Sequence, residues 1–123
     1  MGDPDLAVLD YCYLTTTGRS SGRPHTIEIW FALHRDRVYL LAGEGEGSDW
    51  VRNLQAHPTV GLRLGDRDML ARAYVVADPE EDALARRLLL EKYAVRYGGD
   101  LEEWGGSSLP IGIELPPTPE VSE

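Results

Sequence analysis

From Tyr11 onward the chain repeatedly alternates apolar and polar residues with a period of two, and twice switches to a helical period. Residues 11–17, rich in Tyr, Thr and Leu, predict a first strand. Residues 25–34 alternate cleanly. Ile27, Ile29, Phe31 and Leu33 fall on one face, and Thr26, Glu28, Trp30 and His34 on the other, which predicts a single long strand. Arg35-Asp36 makes a short turn into a strand over 37–42. After the acidic loop Gly43-Glu-Gly-Glu-Gly47, Ser48 offers an N-cap and Asp49 a favourable first-turn charge. The helix so begun reaches about Ala56, where Pro58 prevents it from continuing. Two strands follow, over about 58–64 and 68–77, across Gly65-Asp66-Arg67.

Asp78-Pro79-Glu80-Glu81 combines a cap, a proline at the first helical position and acids near the positive end of the dipole. The predicted helix carries Leu84, Leu88, Tyr93 and Tyr97 and stops at Gly98-Gly99. A glycine-rich loop containing Trp104 leads to a last strand over 109–115, and the prolines and acids from Pro116 predict a disordered tail. About six short strands, one short helix and one long helix predict a mainly β domain over residues 1–115, a barrel or strongly curved sheet with antiparallel neighbours. No internal repeat or second-domain boundary is visible.

Composition narrows the chemistry. A chain of 123 residues can bury roughly 65% of its unfolded surface, enough for one core. Lys and Arg number 12 against 21 Asp and Glu, a formal charge of −9, and such a surface repels nucleic-acid backbones. Cys12 is the only cysteine, so an intrachain disulfide is excluded; between Tyr11 and Tyr13 it reads as a buried, inert thiol. No apolar run approaches the roughly 18 residues of a membrane span. The acidic start lacks the basic opening of a signal peptide, and Leu6 stands where a myristoylation motif needs Ser or Thr. The expectation is a cytoplasmic protein.

The turn Gly18-Arg-Ser-Ser-Gly-Arg-Pro-His25 holds the most information. Gly18 and Gly22 can adopt positive φ and fold the chain back, gathering backbone N–H groups with Arg19 and Arg23 at one strand end. A solvated hairpin and a grip for an anion such as phosphate both satisfy this pattern. His25, His34 and His57 lack partners at metal-binding spacing, which argues against a metal site. Nucleophile-elbow, Walker and Rossmann motifs are absent. The glutamates of the Gly43–Gly47 loop would oppose an anion there. Of ten aromatic residues six are Tyr and three Trp, types that suit cleft walls, subunit interfaces and core margins alike. Tyr93 and Tyr97 share a helix face, either to pack the helix or to border a cleft.

Tyr13-Leu-Thr-Thr-Thr-Gly-Arg-Ser-Ser-Gly-Arg-Pro-His25 and Asp49-Trp-Val-Arg-Asn-Leu-Gln-Ala-His-Pro58 resemble two signatures of the deazaflavin-dependent nitroreductases, also called F-420-dependent quinone reductases. The similarity runs over about residues 13–115, through Arg72-Ala-Tyr-Val-Val76 to Leu109-Pro-Ile111. It implies a split β-barrel like that of the FMN-binding pyridoxine-phosphate oxidases, with coenzyme F-420 as cofactor. The resemblance places the coenzyme's phosphate near Arg19, Ser20 and His25, with Ala42, Gly43 and Asp49 also in the cofactor site. It sets Glu28, Trp30, Trp50 and Asn53 beside the deazaflavin ring, and Tyr93 and Tyr97 over the ring, bounding the acceptor pocket. The implied reaction is hydride transfer from the reduced coenzyme to a quinone, nitro or unsaturated compound, with no single catalytic side chain required. The competing expectation is a barrel that holds FMN, haem, a lipid or nothing. Exposed aromatics and sheet edges also raise the expectation of a homodimer.

Overall fold

A computed structural model describes residue 6, residues 8–97 and residues 101–116, with the side chains of 95–97, 102, 103 and 105 left out of that description. The elements run β1 (Cys12–Thr17), β2 (Pro24–Ile29), β3 (Ala32–His34), β4 (Arg37–Ala42), α1 (Asp49–Ala56), β5 (Thr59–Leu64), β6 (Arg67–Val75), α2 (Pro79–Tyr97), α3 (Glu102–Ser107) and β7 (Leu109–Glu114). All strand pairs are antiparallel, in the order β2-β1-β5-β6-β7-β4-β3.

The long strand expected over 25–34 is two strands on opposite edges of this sheet. β2 pairs with β1, whereas β3 pairs with β4. Only Trp30 and Phe31 separate them, and three Cα–Cα steps span at most roughly 11 Å. The two edges must therefore come together, which curls the sheet into a split barrel. Strand alternation cannot report this switch, because the residues on each side of it remain β-forming. The expected count of about six strands becomes seven for this reason.

Phe31 sits at the crossing, outside any strand, so its backbone groups need other partners. Helix α2 supplies them. The Phe31 N–H donates to the Tyr93 hydroxyl at 2.9 Å, and Lys92 Nζ donates to the Phe31 carbonyl at 2.9 Å while lying 3.8 Å from the ring centroid. The Tyr93 hydroxyl has the Asp10 and Phe31 carbonyls within donating distance, at 2.8 and 3.0 Å.

The apolar residues form two clusters. Inside the barrel, Cys12, Leu14, Phe31, Val38, Leu40, Val51, Leu54, Ile111 and Ile113 pack together. Outside it, Ala85, Leu89 and Tyr93 of α2 cover Tyr39 and Leu41, so β4 is buried on both faces. The helix starts as its residues predict, with the Glu81 N–H donating to Asp78 Oδ2 at 2.9 Å. The segment around Trp104, expected as a loop, is the short helix α3. Ser48 flanks α1 but makes no side-chain cap bond. The tail beyond Pro116, expected to be disordered, lies outside the described residues.

Candidate coenzyme groove

The first signature turn and the first turn of α1 meet in one groove of about 380 Å³. Its lining includes Thr16, Arg19, Ser20, Ser21, His25, Ile27, Asp49, Trp50 and Asn53. Asn53 joins the two signatures. Its Oδ1 accepts from Arg19 Nη1 at 2.8 Å and from the Arg19 backbone N–H at 3.1 Å, and its Nδ2 donates to Thr16 Oγ1 at 3.3 Å. Asn53 and Thr16 are both buried, so these bonds hold the arginine against a fixed point. Arg19 Nη2 also pairs with Asp49 Oδ1 at 3.2 Å. That second contact is loose, because the Asp49 side chain is 84% exposed.

Turn geometry aims the donors. The Gly18 N–H donates to the Arg23 carbonyl at 2.7 Å, and the Gly22 N–H donates to the Gly18 carbonyl at 2.9 Å. Only Gly22 takes the positive φ expected of both glycines, at 72°. Gly18 is needed for space instead: a Cβ there would lie 2.5 Å from Ser21 Oγ and 3.0 Å from His25 Nε2. The close approach of Gly18 is what lets His25 turn into the groove. Arg23 does not line it.

Six of the expected site residues, Arg19, Ser20, His25, Asp49, Trp50 and Asn53, thus share this groove. The others do not. Glu28 and Trp30 line a separate recess with Tyr11, Ile29, Leu41 and Trp104. Ala42 is buried at the end of β4 opposite Leu109, and Gly43 is exposed in the turn beyond. Tyr93, expected over the ring at the border of the acceptor pocket, is fully buried, stacked on Trp30 at 4.2 Å with its hydroxyl taken by backbone groups. It serves packing in this structure. The side chain of Tyr97 lies outside the described residues.

A second polar cluster was invisible in the sequence. Arg37 Nη1, the Tyr39 hydroxyl and the Tyr74 hydroxyl all donate to Glu81 Oε2, the first two at 2.8 and 2.7 Å. Burial pushes the Glu81 carboxyl up, but bonds from Tyr74, Tyr39 and Arg37 outweigh it and leave the group lowered. The Tyr39 and Tyr74 phenols are raised by burial first and by the Glu81 carboxylate second. Across β1–β2, the Tyr13 hydroxyl donates to Glu28 Oε2 at 2.8 Å, which raises the phenol. Partners 42 residues apart carry no local sequence signal; Glu81 reads only as a helix-start acid. Thr16 and Ser21 of the groove were also missed, though the inward parity of Thr16 with Leu14 marks it as buried.

A family model described as F420H(2)-dependent quinone reductase matches residues 4–116. The chain belongs to that family. Membership makes it a reductase of the deazaflavin-dependent type. Among solved structures, this family member is similar to one described as an F420-H2 dependent reductase, with a TM-score of 0.67, 21% identity and coverage of 85% of this chain and 93% of that one. A structure described as a domain-swapped dimer gives a TM-score of 0.69 at 22% identity, covering 85% and 79%. The haem storage protein HutZ from Vibrio cholerae gives 0.65 at 16% identity, covering 89% and 83%. At these identities the likeness establishes the split-barrel fold.

Proposed function

We propose that the protein is an oxidoreductase that takes hydride from reduced coenzyme F-420 to a small organic acceptor of quinone, nitro or unsaturated type. The observation that carries this reading is the joining of both signatures in one groove by Arg19 and Asn53. The donor chemistry fits the group. Arg19, Ser20, Ser21 and His25 supply hydrogen-bond donors for a phosphate at one end, while Ile27 and Trp50 supply apolar surface for a planar ring. When bound, the reduced deazaflavin supplies a two-electron hydride donor. The chain's residues then bind and orient. Arg19 grips the anionic end, with Asn53 holding its guanidinium in place. His25 adds a ring N–H donor at the groove lining. Trp50 would offer apolar surface to the ring, and Asn53 would act through Arg19, which it holds. Glu28, near the end of β2, and Trp30, just past it, line the separate recess rather than this groove.

Titration of the purified protein with the coenzyme, followed by its visible absorbance, tests the proposal. Saturable binding in the micromolar range is expected, weakened about tenfold or more by Arg19→Ala. Absence of binding at tens of micromolar overturns it. FMN run beside the coenzyme decides between the two flavin-like ligands. A homodimer is part of the same proposal, supported by exposed Tyr13 and Leu70 on the outer sheet face, at 41% and 71%. Sedimentation velocity tests it, and a monomer at micromolar concentration removes it.

A further inference from the structure

The separate recess at the Ile29–Trp30 end of β2 has a chemistry of its own. It measures about 240 Å³ and is lined by Tyr11, Glu28, Ile29, Trp30, Leu41 and Trp104. Three of these six are aromatic, and Leu41 and Ile29 complete an apolar lining. The Trp30 ring is immobilised: it stacks on Tyr93 with an interplanar angle of 3°, and Trp104 meets it edge-on with centroids 5.4 Å apart. Glu28 stands at this lining with one oxygen accepting from Tyr13 at 2.8 Å. Among the described residues no Lys or Arg pairs with Glu28. A solvent-exposed carboxylate, oriented by a hydrogen bond, unpaired with any cation and beside aromatic rings, is the counter-charge a weakly hydrated organic cation can use. The formal charge of −9 raises the local concentration of cations and lowers that of anions.

We infer that this recess binds a small organic cation, a quaternary ammonium or N-alkylpyridinium group, with Glu28 as counter-charge and Tyr11, Trp30 and Trp104 as its aromatic walls. The site stands without the coenzyme reading. As the acceptor side of the proposed reductase it narrows the acceptor to cationic compounds, and that extension rests on the deazaflavin reading.

The probe is choline, set against its uncharged isostere 3,3-dimethylbutan-1-ol, on the full chain without coenzyme. Indole N–H signals in a proton–nitrogen correlation spectrum report on Trp30 and Trp104 directly. Choline should shift both signals saturably, and bind about tenfold more tightly than the isostere. Glu28→Gln, which still accepts from Tyr13, should weaken choline about five- to tenfold and leave the isostere unchanged. Asp66→Asn removes the same charge from the β5–β6 turn, outside the recess, and should leave choline binding within about twofold. Equal binding of choline and isostere, an indifferent Glu28→Gln variant or unmoved Trp30 and Trp104 signals each overturn the site. Repeating the titration on coenzyme-saturated protein tests the extension separately. Retained choline binding supports it, and full competition overturns it while leaving the apo site intact.

Discussion

Asn53 joins the two signature turns of this chain because its amide presents an acceptor oxygen and a separate donor nitrogen at one buried point. Its oxygen holds Arg19 and its nitrogen holds Thr16. Asn53→Ala removes three hydrogen bonds and strands the buried Thr16 hydroxyl, so a loss of about 2–3 kcal/mol in urea unfolding is expected. Arg19→Ala should cost less than about 1 kcal/mol, since its side chain is 36% exposed and its ion pair reaches a solvated carboxylate. Both variants should bind the coenzyme poorly. A stable Asn53→Ala protein would mean that the amide is not the anchor. Cys12 supplies a second residue-scale expectation. Burial pushes its thiol from the ordinary 9.0 up to about 12, so the folded chain keeps a proton that the unfolded chain releases between those values. Stability is therefore fully present below about pH 9 and falls as pH climbs toward 12, with the raised Tyr39 and Tyr74 phenols acting in the same direction. Cys12→Ala should flatten the start of that fall. A midpoint that does not decline above about pH 9 in the parent protein contradicts the assignment.

Helix α2 shows where sequence patterns reach and where they stop. Its start is written locally, in Asp78-Pro79, and its buried face in the four-residue spacing of Ala85, Leu89 and Tyr93, with the expected Leu84 and Leu88 only partly buried beside it. What the pattern cannot show is its partner. Tyr93 could border a cleft or pack a crossing, and the choice depends on the break between β2 and β3 at Trp30-Phe31, which no residue there announces. The Glu81 cluster has the same character: Tyr74 lies across Gly112, where any Cβ would overlap its ring, and only the β6–β7 pairing reveals why that glycine is needed. The groove was more legible, because its two halves are short motifs that resemble known signatures, although the Arg19–Asn53 bonds that join them span 34 residues and leave no local mark. Tyr93→Phe separates packing from an acceptor role. It leaves the Phe31 N–H without its acceptor, so a loss of about 1–3 kcal/mol in unfolding is expected, with coenzyme affinity within about threefold of the parent. Unchanged stability together with lost turnover would return Tyr93 to the acceptor side.

At the scale of the molecule, a chain of charge −9 proposed to bind an anionic coenzyme sets two electrostatic ranges against each other. Attraction comes from the Arg19 guanidinium at the groove lining, where solvent ions intervene least. Repulsion comes from the whole acidic surface, including Glu44 and Glu46 on the loop before α1, and acts over the Debye length. That length is about 30 Å at 0.01 M salt and about 8 Å at 0.15 M. Added salt therefore screens the approach before it weakens the grip. The association rate measured by stopped flow should rise, by about two- to tenfold, between these two salt concentrations, the reverse of a steered pair. The dissociation rate should rise too, because the Arg19 contact is partly exposed. Affinity then changes less than either rate. An association rate that falls with salt would mean that basic groups focus the field at the groove mouth strongly enough to override the net charge, and Arg19→Ala should then abolish the dependence.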